Sequence, residues 1–251
     1  MLKVANVLRT ALLFMLLPGS LSVLAEEPEA AAAIRAAMTE ARPDLGISSV
    51  EESPVSGIYA VQFEGGPTVY VTGDGRYFFL GDLFSIGPVG FVNIAEQKRD
   101  QLRAELLATV QPADTIIFRP EGETRAVLHV FTDVDCFYCQ KLHQEMADYN
   151  RYGIEIRYLA YPRAGIGSES YRKIASAWCS KDQQTAMTRL KRRESIPINV
   201  CSDNPVAEQF ALGGRMGVEG TPALITESGT LLPGYLPAPK LAQALGLAEP
   251  R

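Results

Sequence analysis

Ala126-Val127-Leu128-His129-Val130-Phe131-Thr132-Asp133-Val134-Asp135-Cys136-Phe137-Tyr138-Cys139-Gln140-Lys141 carries an apolar, strand-like run into two cysteines and then into an amphipathic helical pattern, Gln140 to Asn150. Two thiols separated by two residues can close a disulfide within one turn of helix, and a helix N-terminus at the first of them favours its thiolate. The stretch therefore points to redox chemistry on thiols at a strand-to-helix junction. Cys136 is the expected attacking sulfur. Cys139, one turn further in and more shielded, is the expected resolving sulfur. Asp135 works against this, because a carboxylate beside Cys136 disfavours its thiolate, modestly if solvent screens it.

The N-terminus sets the compartment. Lys3 and Arg9 precede a short apolar run, Ala11 to Leu17, which Pro18-Gly19 breaks before Val23-Leu24-Ala25. This is the pattern of a secretory signal peptide, residues 1–25, cut after Ala25; an uncleaved anchor is the alternative, disfavoured by the short core. Removing it takes away two basic residues and leaves 22 basic against 29 acidic, a net charge of −7. With no basic run interleaved with aromatics, nucleic acid is not an expected partner. Of the 251 residues, 47% are hydrophobic and 21% charged, which excludes a disordered chain and leaves room for two modest domains.

Four cysteines in an oxidising compartment favour disulfides over metal. A zinc site would need a second closely spaced pair, which Cys179 and Cys201 do not make, so neither metal nor cofactor is expected. Cys179 and Cys201 most simply bond to each other, closing a loop of about 22 residues worth roughly 3 kcal/mol. A second redox couple is the alternative, disfavoured because neither lies in a Cys-x-x-Cys. His129 and His143 stand alone and read as structural or surface residues. Pro222 opens the strand Ala223 to Thr226, where it costs no ladder bond, and residue chemistry alone makes its peptide bond trans.

Ahead of the cysteines, Glu29 to Ala41 has a helical pattern. Strands are expected at Gly57 to Phe63, Thr68 to Thr72 and Arg76 to Leu80, with short edges at Phe84 to Ile86 and Val89 to Val92. Pairing with a second copy would cover the edges of so small a block. Asn93 to Val110 reads as a polar helix capped by Asn93 with Glu96, either bridging two domains or packed on one. After Pro112 the order is strand, strand, helix, strand, several helices, two strands and a last helix, Lys240 to Leu247. One of those helices starts at Asn204-Pro205 and ends at Gly213-Gly214.

The chain resembles the periplasmic DsbC-type thiol–disulfide isomerases over nearly its full mature length. The resemblance rests on Val130-Phe131-Thr132-Asp133, Cys139-Gln140-Lys141-Leu142-His143, Met146-Ala147-Asp148-Tyr149-Asn150 and Arg157-Tyr158-Leu159-Ala160-Tyr161-Pro162-Arg163. It extends through Trp178-Cys179-Ser180-Lys181-Asp182, Gly220-Thr221-Pro222-Ala223 and Leu232-Pro233-Gly234-Tyr235. It implies an α+β N-terminal dimerisation domain at 26–92 and a linker helix at 93–111. An α/β thioredoxin-like domain with a helical insertion would follow at 112–251. It further implies a V-shaped homodimer, an exposed nucleophile Cys136 with a buried partner Cys139, and a cis Pro222 beside Thr221 facing them. It supports a structural Cys179–Cys201 bond. Its implied partners are mis-paired secreted proteins, held in an apolar cleft, and a membrane reductase of the DsbD type. Phe137-Tyr138 departs from the family's usual Gly-Tyr, Asp135 replaces a more neutral residue, and Val130 stands where thioredoxins keep a buried acid. Rival readings are a DsbG-like reductase protecting single cysteines, a chaperone or copper-handling protein, and a monomeric DsbA-type oxidase.

Overall fold

The computed structural model describes residues 28–87 and 90–248, so the expected signal peptide lies outside the described residues. Contacts divide the chain into Met1–Gly81 and Asp82–Arg251.

In the first unit, α1 (Glu29–Ala41) covers one face of an antiparallel sheet in the order β1 (Ile47–Glu52), β2 (Ile58–Phe63), β3 (Thr68–Thr72), β4 (Phe78–Leu80). Val61, Val69 and Val71 point inward against Ile34, as period-2 alternation requires. β1 is not among the strands expected from the sequence. That strand is polar, lies at an edge, and its register shifts between Ile47 and Ser49, which destroys the alternation that would have marked it. The opposite edge, β4, exposes all three of its residues.

The second unit opens with the hairpin β5 (Phe84–Gly87) and β6 (Gly90–Asn93), followed by α2 (Ile94–Ala108). Asn93 caps α2 by accepting from the Glu96 N–H at 3.1 Å. The Glu96 carboxylate turns to Arg99 and Arg103 instead of closing the reciprocal half of a capping box. The helix is polar but not suspended in solvent. Leu107 is buried among Phe131, Leu159 and Leu212, and Arg103 donates to Met216 O at 2.9 Å.

The main sheet runs β11 (Leu231–Pro233), β10 (Ala223–Thr226), β8 (Ala126–Thr132), β9 (Ile154–Ala160), β7 (Ile116–Phe118), with β8 and β9 parallel and the other pairs antiparallel. Alternation along β8 and β9 splits the core. Leu128, Val130, Ile154, Ile156 and Tyr158 face one side, while Phe131 and Leu159 face the other. Between β8 and β9 lie α3 (Phe137–Gln144) and α4 (Met146–Arg151), where one run was expected. The chain breaks at Glu145, whose carboxylate accepts from Tyr235 Oη and Ala238 N. Between β9 and β10 come α5 (Glu169–Trp178), α6 (Gln183–Lys191) and α7 (Val206–Arg215), and α8 (Ala238–Ala244) closes the chain. Gly213-Gly214 do not end α7 as expected. A Cβ on Gly213 would sit 2.7 Å from the Tyr161 ring, so this glycine lets the helix approach the sheet.

Cys179, at the end of α5, is bonded to Cys201 in the loop between α6 and α7. Replacing both with alanine is expected to destabilise the protein by about 2–4 kcal/mol through the freed loop. A fall in the urea midpoint would show it; an unchanged midpoint would mean that packing alone holds the insertion.

Candidate active site

The apolar strand β8 ends at Thr132, the next four residues turn, and α3 begins with Cys136 at its N-cap. The turn is held by Asp133, whose side chain is buried. Its Oδ1 accepts from Asp135 N at 2.9 Å and Ser170 Oγ at 2.5 Å, and its Oδ2 from Arg163 N at 2.9 Å. These bonds hold the carboxyl below the usual carboxylate range against the opposing effect of burial.

Both sulfurs of the pair are free, and both side chains are buried, Cys136 at 3% exposure and Cys139 at 1%. The exposed nucleophile implied by the resemblance is therefore corrected. The Cys136 thiol is tucked under the loop before β10, where it can donate to Thr221 O at 3.2 Å. That loop carries a cis Thr221–Pro222 bond, which corrects the trans bond expected from residue chemistry alone and agrees with the resemblance. Thr221 Oγ1 is buried with no hydrogen-bond partner. A thiolate on Cys136 would give that hydroxyl an acceptor.

The two thiols are driven apart. The Cys139 S–H bond to Cys136 is the largest effect on the first sulfur. Together with the Thr221 hydroxyl, the Cys139 backbone N–H at the helix start and the Arg163 charge, it brings Cys136 down to about 5 despite burial. Burial, and then the same hydrogen bond, pushes Cys139 up. The Asp135 carboxylate is about half exposed and Lys173 Nζ approaches it at 3.2 Å, so solvent and this ammonium both offset its field at Cys136.

Around the buried sulfurs the surface is aromatic. Phe137 is 61% exposed and Tyr138 56%. Tyr138 stacks on Tyr235 at 6.3 Å, and Lys141 Nζ lies 4.7 Å over the Tyr235 ring. Phe137 and Tyr138 directly follow Cys136 in the chain, so this aromatic surface borders the sulfur. The helix start and the loop before β10 bring Cys136, Cys139, Phe137, Tyr138, Thr221 and Pro222 together, and Cys179 is bonded to Cys201.

Sequence reasoning missed Asp133, Arg163 and Lys173, which orient the turn or balance its charge. Their shared signal was a cluster of unlike charges on segments far apart in sequence, visible only once β8, β9 and α5 are assembled. His129 and His143 are buried rather than superficial. Burial is the main cause that takes them down to about 4 and about 3, so both are neutral at pH 7. Among the described residues, no group of three His, Cys, Asp or Glu side chains could hold a metal ion.

Two family models match the chain: a disulfide bond isomerase protein N-terminal domain over residues 25–91 and a thioredoxin-like domain over residues 111–249. Thiol:disulfide interchange protein DsbC of Escherichia coli K12 is 35% identical over 84% of this chain and 86% of its own. The protein of the same name from Dickeya dadantii is 34% identical over 94% of each. A crystal structure of a disulfide interchange protein from Neisseria gonorrhoeae aligns with TM-score 0.49 and 30% identity over 55% of this chain and 96% of that one.

Proposed function

Because this chain belongs to the DsbC-type thiol:disulfide interchange proteins, which are thiol–disulfide oxidoreductases, we propose that it reshuffles wrong disulfides in proteins of the periplasm. The observation that carries this reading is the opposed pair of thiols, Cys136 held as a thiolate and Cys139 held protonated behind it. The Cys136 thiolate attacks a client disulfide, forming a mixed disulfide and releasing one client thiolate. A client thiol then attacks that bond or another client disulfide, and the enzyme leaves reduced. When no client thiol arrives, Cys139 resolves the mixed disulfide and the enzyme leaves oxidised. A stabilised Cys136 thiolate makes the enzyme disulfide easy to reduce, which suits upkeep by a membrane reductase of the DsbD type.

In this reading 26–92 is a dimerisation domain, 93–111 a linker helix and 112–251 the catalytic domain. A homodimer is supported by the bare strand β4, with Phe78 63% and Leu80 70% exposed. An unpaired apolar edge of this kind is stable in water only when something covers it. Phe137, Tyr138 and Tyr235 would hold apolar client segments beside the reacting sulfur. No helix among the described residues is long and apolar enough to cross a membrane.

The test uses the mature chain, reduced, with scrambled ribonuclease in a buffer that cannot itself reshuffle it. Recovery of ribonuclease activity over many turnovers is expected, with a dimer by sedimentation equilibrium. A monomer that oxidises reduced ribonuclease faster than it repairs the scrambled form would identify an oxidase. Reactivity confined to sulfenylated protein would identify a reductase of single cysteines.

A further inference from the structure

Lys191, the last residue of α6, is almost wholly buried at 2% exposure. Its Nζ donates to Thr132 Oγ1 at 2.6 Å and to the Asp133 carbonyl at 3.0 Å, and lies 5.4 Å from the centre of the Tyr158 ring. Among the described residues no carboxylate lies within ion-pair distance of it. The Asp133 carboxylate points elsewhere, to Arg163, Ser170 and the Asp135 N–H. A buried ammonium without a counter-charge is costly, so any negative charge formed beside it is strongly favoured.

Four groups around it can carry that charge: Cys139, Asp133, Cys136 and Asp135. Burial pushes the Lys191 ammonium down from its ordinary value, and among these groups Cys139 opposes that most strongly. The two flank the same residue, for the Cys139 sulfur faces the Asp133 N–H while Lys191 holds the Asp133 carbonyl. In the mixed disulfide Cys136 carries no charge, and the Asp133 carboxylate is bound to other donors. His143 is neutral, burial keeps the proton on Tyr158, Asp135 is engaged by Lys173, and Arg192 and Arg163 carry the same sign. Val130, which is buried on β8, offers no acceptor either.

We propose that Lys191 is a positioning residue for the resolving step, its buried ammonium lowering the cost of the Cys139 thiolate that must form to attack the mixed disulfide. The proposal rests on the redox reading of the pair given above. Cys139 gives its proton to water, and its thiolate attacks the Cys136 sulfur. The Cys136–Cys139 bond forms as the bond from Cys136 to the client breaks, and the client sulfur leaves as a thiolate that takes up a proton. The client disulfide is reduced and the enzyme pair oxidised, with no other reactant. Without the ammonium, the thiolate of so deeply buried a sulfur forms more rarely and the mixed disulfide lasts longer.

Stopped-flow reaction of the reduced protein with 5,5′-dithiobis(2-nitrobenzoate) separates the steps. The first coloured thiolate reports attack by Cys136 and the second reports resolution by Cys139. In Lys191→Met the second phase is expected to slow about tenfold relative to the first, and its midpoint pH to rise by about one unit. Lys191→Gln keeps donors for Thr132 and Asp133 but no charge, and is expected to behave as Lys191→Met. Lys191→Arg is expected to recover the second phase. A folded Lys191→Met with an unchanged second phase overturns the proposal. So does recovery in Lys191→Gln, which would make the role one of hydrogen bonding alone. Loss of folding in both uncharged variants overturns it too, since removing an uncompensated buried charge should be near neutral for stability. If the unaltered protein shows no rapid first phase, the redox reading of Cys136 fails, and the failure is distinguishable from that of Lys191.

Discussion

Cys136→Ala brings the reactivation of scrambled ribonuclease down to the rate without protein, whereas Cys139→Ala keeps a measurable fraction. The size of the first loss does not come from thiolate abundance. A thiol near 9 is about 1% ionised at pH 7 and one at about 5 is about 99% ionised, a hundredfold gain. Intrinsic nucleophilicity falls with pKa at a slope of about 0.4–0.5, which returns most of that gain over a drop of four units. What the low pKa supplies is a good leaving group: a client thiol expels Cys136 easily, so the mixed disulfide turns over. The loss on Cys136→Ala is complete because no other sulfur can take its place. Cys139 is 1% exposed and burial holds its proton, while Cys179 and Cys201 are bonded to each other. Cys139→Ala still attacks and still releases through client thiols, but it has no escape from unproductive complexes. The pH profile checks the cause. Alkylation of Cys136 by iodoacetamide should stay nearly level from pH 8 towards 6 and fall to half at about pH 5. A midpoint in the ordinary thiol range, or full reactivation by Cys136→Ala, would refute this account.

How much of this was legible in advance follows from which forces are local. The strand-to-helix junction at Cys136 was legible because alternation, a polar turn and a helical period follow one another within twenty residues. Asn93 was legible as a cap for the same reason, since its partner is Glu96. The break at Glu145 was not, because its causes, Tyr235 and Ala238, come from the far end of the chain. β1 was hidden by its polarity and its register shift. The burial of Cys136 was hidden because the covering loop at Thr221 lies 85 residues away, and only the family resemblance placed it there. The ammonium of Lys191 reads in sequence as one more cation in Lys191-Arg192-Arg193. Nothing local says that it alone turns inward.

Asp133→Ala is expected to destabilise the protein by about 3–4 kcal/mol, the largest stability effect of any change at the site. Its carboxylate satisfies four donors: the N–H of Asp135, the hydroxyl of Ser170, and both the backbone N–H and the Nε of Arg163. The Arg163 side chain is about half exposed, so its charge is discounted for solvent screening and most of the effect comes from the other three. Each contributes about 1 kcal/mol when made and costs more when left buried and unmade. Asp133→Asn should cost less, because one acceptor oxygen survives, but its amide would point N–H groups at the Arg163 donors. The pH dependence has a definite sign. The folded carboxyl lies below its ordinary value of 3.8, so its contribution is fully present above that value and is lost as pH falls through the lower, folded one. The difference between the unaltered protein and Asp133→Ala should therefore be constant from pH 5 upward and shrink only in stronger acid. Urea unfolding of the oxidised forms at pH 7 and at pH 3 measures both. Equal midpoints at pH 7 would mean that the turn before Cys136 is held by something other than Asp133. A normal midpoint with slowed client repair would leave Asp133 acting on the cysteines and not on the fold.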